Sequence, residues 1–118
     1  MFDIFIPIGS PTFQVRFTYL FATHMILTTT RLQFRGDIEE ASLYADIGTY
    51  VKLPLTPSQP AGKAKGDLRD GLRVTFSLEG VSGDIQFFAR QNWMWTSFDI
   101  TEFGKRHRAQ FQLIQIIE

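Results

Sequence analysis

Apolar and polar residues alternate with period two along almost the whole chain. From Phe13 the odd positions read Phe13, Val15, Phe17, Tyr19 and Phe21, with Gln14, Arg16 and Thr18 between them. That is the pattern of a strand with one buried face. From Ile26 the apolar set is Ile26, Leu32 and Phe34, with Thr28 and Thr30 in the same phase and Arg31, Gln33 and Arg35 in the other. The two runs read as a hairpin around a four-residue turn, "ATHM". Such a turn sets Arg16 opposite Arg31, with Arg35 further along the same face.

Ala41, Leu43, Ala45, Ile47, Thr49, Val51, Leu53 and Leu55 then share one phase, and Ser42, Tyr44, Asp46, Gly48, Tyr50 and Lys52 the other. A helix starting near Asp37 competes, because "DIEEASLYA" has good helix formers and acidic residues in a first turn. The unbroken alternation favours one long strand bent at Gly48. Residues 54–71 are rich in proline and glycine and show no period, so a long surface loop is expected there.

The last third reads as a four-stranded meander, "LRVTFSL", "DIQFFAR", "WMWTSFDI" and "HRAQFQLIQII", with turns at "EGVSG", "QN" and "TEFGK". The expected fold is a single all-β domain over 1–118. It is an antiparallel barrel or two-sheet sandwich of about seven or eight strands, since short strands must close or stack to bury one face. With "GVSG" as a four-residue loop, Leu78 faces Ile85, Phe76 faces Phe87, and Val74 faces Ala89. With "QN" as a two-residue loop, Ala89 faces Met94 and Ile85 faces Phe98.

One face of the meander then carries Val74, Phe76, Leu78, Ile85, Phe87, Ala89, Met94, Phe98, Ile100, Phe111 and Leu113, and is the expected core. The other face holds both tryptophans. Arg90 comes opposite Trp93 and Phe88 opposite Trp95, which suits cation–π and aromatic cross-strand pairs. Arg73 falls opposite Arg90, a like-charge pair that needs something negative nearby. A face collecting arginine and tryptophan can take a planar, sugar-like or anionic ligand. Internal neutralisation by Glu40, Asp46 and Asp99 competes with that reading, with Asp99 near Arg106 or Arg108 across the strand. Two tryptophans left in water would form an unusual apolar patch, so they mark a pocket, a barrel lumen or a protein interface.

Composition narrows the remaining classes. Lys+Arg and Asp+Glu are both 12, so there is no net charge and no strong nucleic-acid signal. The basic run "GKRHR" reads as a solvated turn. The chain has 12 phenylalanines, which predicts an aromatic core, and no cysteine, which excludes disulfides, thiol nucleophiles and cysteine-ligated metal. The start, "MFDIFIPIGS", lacks a basic leader and a long apolar run, and no stretch is long enough to span a membrane as a helix. The expectation is a cytoplasmic protein without a membrane partner.

"AGKAKGD" is not a phosphate-binding loop. No metal or cofactor is expected. His24 is expected in the first hairpin turn and His107 on the core side near a strand end; neither makes a metal site alone. Asp46, Asp99, Tyr44 and Tyr50 share a face by parity and are the acid/base candidates for a cofactor-independent enzyme, an isomerase or cyclase working in a barrel lumen. The leading expectation is a non-enzymatic binding module. It presents Trp93, Trp95, Phe88, Arg73 and Arg90 to a small molecule or a protein. A third reading makes the tryptophan face a subunit interface. The terminal "FQLIQII", apolar on both faces, points to a homo-oligomer.

Overall fold

The structure is a computed structural model that describes residues 1–8, 13–19, 22–28, 30–39, 41–53 and 57–116, with the backbone alone for 13–19 and 22–28. The strands in chain order are β1 (Phe2–Pro7), β2 (Phe13–Tyr19), β3 (Ala22–Thr28), β4 (Arg31–Glu39), β5 (Tyr44–Lys52), β6 (Gln59–Asp67), β7 (Leu72–Leu78), β8 (Val81–Arg90), β9 (Trp93–Glu102) and β10 (Lys105–Gln115). Eight of them form two antiparallel four-stranded sheets, in the orders β1-β4-β5-β6 and β10-β9-β8-β7, while β2 and β3 form a separate ribbon. The fold is an all-β sandwich. A closed barrel is not seen, and no helix among the described residues is long and apolar enough to cross a membrane.

The core lies between the two sheets, as the alternation requires. Leu32, Phe34, Ala45, Ile47 and Val51 from the first sheet, and Val74, Ile85, Phe87, Met94 and Ile100 from the second, are buried in one cluster. Phe34 and Phe87 meet edge-to-face across the layers, with ring centroids 4.9 Å apart. Burying each such side chain is worth about 1.5–3 kcal/mol, so this cluster drives the assembly.

Five local expectations are corrected. First, the chain start is a strand. Ile6 pairs Leu32 and Ile4 pairs Phe34, so β4 lies between β1 and β5 and is not the partner of β2. Arg31 therefore sits opposite Pro7 and Lys52, and Arg16 opposite Met25. The "ATHM" residues lie inside β3, and His24 is paired with Phe17 rather than held in a turn. Second, β5 begins at Tyr44, because Leu43 takes a left-handed backbone (φ 59) and donates its N–H to the Glu39 carbonyl at 2.7 Å. That turn drops Leu43 into the core.

Third, the expected loop 54–71 contains β6. It is the edge strand of the first sheet, where Pro60 costs no central ladder bond. A bulge between Thr49 and Tyr50 leaves Ala61 as the extra residue. Glycine lets β6 approach β7 closely: a Cβ on Gly66 would lie 2.9 Å from Leu72 Cδ2, and one on Gly62 3.0 Å from Val74 Cγ1. Beyond β6, Leu68 ties the sheets together by donating to the Leu43 carbonyl at 2.9 Å and accepting the Ala89 N–H at 3.1 Å.

Fourth, β7 and β8 join through a two-residue turn at Glu79–Gly80, so Val74 faces Ile85 and Leu78 faces Val81. Gly80 supplies the positive φ (81) that the tight turn needs. The tighter turn also recruits Val81 to the core. Fifth, a bulge between Gln112 and Ile114 in β10 puts Ile114, not Leu113, opposite Met94 and buries Ile116. Phe111 stays at the margin, stacked on Phe98 at 6.0 Å.

Candidate functional site

The outer face of the second sheet is organised by the turn at Gln91–Asn92. Both residues have positive φ (53 and 66), the two-residue hairpin geometry that matches strand twist. It fixes Arg90 opposite Trp93, Ala89 opposite Met94 and Phe88 opposite Trp95, the register expected from the sequence. Met94 and Thr96 fill the core side, so Trp93 and Trp95 project outward, each half-buried. The Arg90 guanidinium carbon lies 4.7 Å from the Trp95 ring centroid and 5.8 Å from that of Phe88. The Trp95 indole N–H donates to the Arg90 carbonyl at 3.1 Å. Phe88, Arg90 and Trp95 thus form one pre-set unit.

Uncharged hydrogen-bonding groups border this unit. Gln112 lies opposite Trp95, and Gln86, Ser97 and Gln110 stand in one cross-strand row beside it. The three glutamines are exposed.

Arg73 is not opposite Arg90. The shorter β7–β8 turn places it opposite Gln86, and its guanidinium is 3.3 Å from the Asp84 carboxylate. It still meets the aromatic unit, because Arg73, Gln86 and Phe88 line one shallow depression at the sheet edge with Asp70 and Gly71. Asp84 in turn lies opposite Asp99. That like-charge pair is offset by Thr75, which donates to Asp84 at 2.6 Å, and by Arg106, which grips Asp99 at 2.9 and 2.7 Å, with Arg108 at 3.4 Å. The Thr75 hydroxyl and then Arg73 hold the Asp84 carboxyl below the ordinary carboxylate range. Arg106 does the same for Asp99. The face therefore has an ion-paired half and an aromatic half, and in the latter Arg90 meets rings rather than a carboxylate.

The acid/base candidates are not assembled. Tyr44, Asp46 and Tyr50 lie on the outer face of the first sheet, and Asp99 on the outer face of the second, with the core between them. Asp46 is 3.6 Å from Lys65 and opposite Asp37, Tyr44 is exposed, and the Tyr50 hydroxyl hangs over Gly48. The contact of Phe34 with Phe87 lies where a barrel lumen would be.

Sequence reasoning missed Asp84, whose role depends on the turn length, and Glu102, assigned to a turn yet buried as the last residue of β9. Glu102 comes within 3.5 Å of His107, which lies on the core side as expected. Glu40 falls outside the described residues, and no cluster of three metal-ligating side chains occurs among those described. Comparison with known protein families, characterised proteins and solved structures finds no match to this chain.

Proposed function

We propose that the chain is a non-enzymatic binding module whose ligand surface is the aromatic half of the second sheet's outer face. The observation that supports it is the clamping of Trp95 by both ends of Arg90, the guanidinium over its ring and the carbonyl on its indole N–H. A ring held in place before the ligand arrives avoids the cost of ordering it on binding. The ligand class that fits is a neutral, sugar-like ring. Its flat face stacks on Trp93, Trp95 and Phe88, while Gln86, Ser97, Gln110 and Gln112 offer amide and hydroxyl partners to its hydroxyls. An anionic ligand is less well served, because Arg73, Arg106 and Arg108 already face carboxylates.

The chain has two tryptophans and both belong to this surface, so intrinsic fluorescence reports on it alone. Titration with a panel of neutral oligosaccharides is expected to change that emission, and Trp95→Ala to weaken binding about ten-fold or more while the domain stays folded. Unfolding of Trp95→Ala would assign the ring to the core and end the proposal. A response to aryl carboxylates but not to saccharides would replace the ligand class.

A further inference from the structure

The sandwich is shut on one side and open on the other. On the shut side β6 packs against β7 through Gly62 and Gly66. On the open side β1 and β10 are the outermost strands of their sheets, and neither has a strand on its outer edge among the described residues. Between them runs a cleft lined by Pro7 from β1 and by Phe98, Arg106, His107, Arg108, Ala109 and Phe111 from β9 and β10. Phe5 is 52% and Phe111 36% exposed along these edges. Free edges next to apolar side chains are what an incoming strand pairs with.

The β2–β3 ribbon is a strand pair without a sheet. Among the described residues its strands pair with each other and with no strand of either sheet. A two-stranded ribbon alone is marginal in water. The sequence nevertheless keeps Phe13, Val15, Phe17 and Tyr19 in one phase of β2, with Val15 registered against Ile26.

The dimensions show where the ribbon goes. The molecule is 56 Å long, whereas the longest strand, the 11-residue β10, spans about 37 Å at ~3.4 Å per residue. The difference, about 20 Å, is close to the length of a seven-residue ribbon. The β1–β4 pairing ends at Pro7–Arg31 and the β2–β3 pairing takes up at Phe13–Thr28, so the ribbon follows on past the end of the first sheet. The chain departs for it only after Ile8, which is buried and donates its N–H to the Thr30 carbonyl at 2.9 Å, next to the cleft residue Pro7, so arm and cleft adjoin at the root. Two copies related by a two-fold axis can then exchange arms in a contact that closes on itself.

We infer that the β2–β3 hairpin of one copy of this chain seats in the β1/β10 cleft of a second copy, giving an arm-exchanged homodimer. This inference is independent of the aromatic surface, which stays outward on the sheet face.

The absence of native cysteine makes cross-linking clean. Val15→Cys protein mixed with Ala109→Cys protein is expected to form a covalent heterodimer on mild oxidation, faster than Val15→Cys mixed with Ser77→Cys, whose cysteine lies on the outer face. In sedimentation the unmodified chain is expected to be a dimer. Phe17→Asp should raise the dimer dissociation constant about ten-fold or more, and Trp93→Asp should leave it unchanged. A monomeric unmodified chain, a dimer broken by Trp93→Asp but not by Phe17→Asp, or equal rates for the two cysteine mixtures would each overturn the inference. The cysteine variants are conservative, so the cross-linking result stands even if Phe17→Asp misfolds.

Discussion

Arg90 holds Trp95 through two different parts of itself, and only one is open to substitution. The carbonyl survives any side-chain change, so Arg90→Met removes the cation while keeping a packing stem of similar length. Loss of an exposed cation–π contact costs about 0.5–1 kcal/mol. Equilibrium urea unfolding of Arg90→Met should show that small drop, with a shift in tryptophan emission and weaker ligand binding; a wild-type emission spectrum would mean the guanidinium does not set the ring.

Gly83 is a residue of the opposite kind, where space rather than chemistry decides. A Cβ there would lie 2.7 Å from Ile100 Cα and against the Asp99 carbonyl. These are backbone atoms that cannot swing aside, so Gly83→Ala should destabilise by about 1–3 kcal/mol. At this scale parity was readable from the sequence, and partners were not. Arg73 was assigned the correct face but the wrong neighbour, because changing the β7–β8 turn from four residues to two slides the register by an even number and leaves every face as it was. Asp84, the true partner, followed from the turn and not from the pattern.

The elements most legible in the sequence were those with both alternation and a turn signal. The pairing of β8 with β9 across Gln91–Asn92 was placed in its true register, although β8 starts earlier, at Val81, and β9 runs on to Glu102. The turn itself is not optimal, since Gln91 adopts φ 53 without the local hydrogen-bonding side chain that makes this region tolerable for asparagine. Gln91→Asn is expected to stabilise by roughly 0.5 kcal/mol, read as a raised urea midpoint with unchanged slope; a lowered midpoint would show that the Gln91 side chain supports the turn. β6 was illegible for the reason that makes it work. Its glycines, alanines, lysines and single proline carry no apolar stripe, yet small residues are what a strand needs when the side chains of its neighbour, here Leu72 and Val74, press against it. β1 was read only for a leader, and its isoleucines gained meaning once β4 lay beside them.

For the molecule as a whole, two forces act on different pH ranges. The apolar core is indifferent to pH: Phe34→Ala, which removes one half of the inter-sheet ring contact, should cost about 3–5 kcal/mol at any pH. The surface carboxylates are not indifferent. Arg69 holds Asp67 below the ordinary range, as Thr75 holds Asp84 and Arg106 holds Asp99. A carboxylate depressed in the folded state stabilises it fully above the unfolded pKa, near ~3.9, and that contribution drains as pH falls through the lower folded value. Urea midpoints should be level from pH 7 to 5 and fall by pH 3, modestly because these groups are exposed and screened. Asp99→Asn should narrow the gap between neutral and acid midpoints; an unchanged gap would mean the pair with Arg106 carries no net stabilisation.

The close approach of β6 to β7 gives the sandwich a spine. Like the pages of a book, the two sheets can part at the fore-edge, where β1 and β10 are free, far more cheaply than at the binding, where Leu68 is bonded to both sheets. Amide hydrogens should record this as a gradient of exchange rates across each sheet. The slowest lie near the Leu68 stitch in β5 and β8, and the fastest along β1 and β10, where local opening exposes them without global unfolding. An arm seated in the fore-edge would slow exchange there first, so protection of β10 that rises with protein concentration is the trace such an exchange would leave.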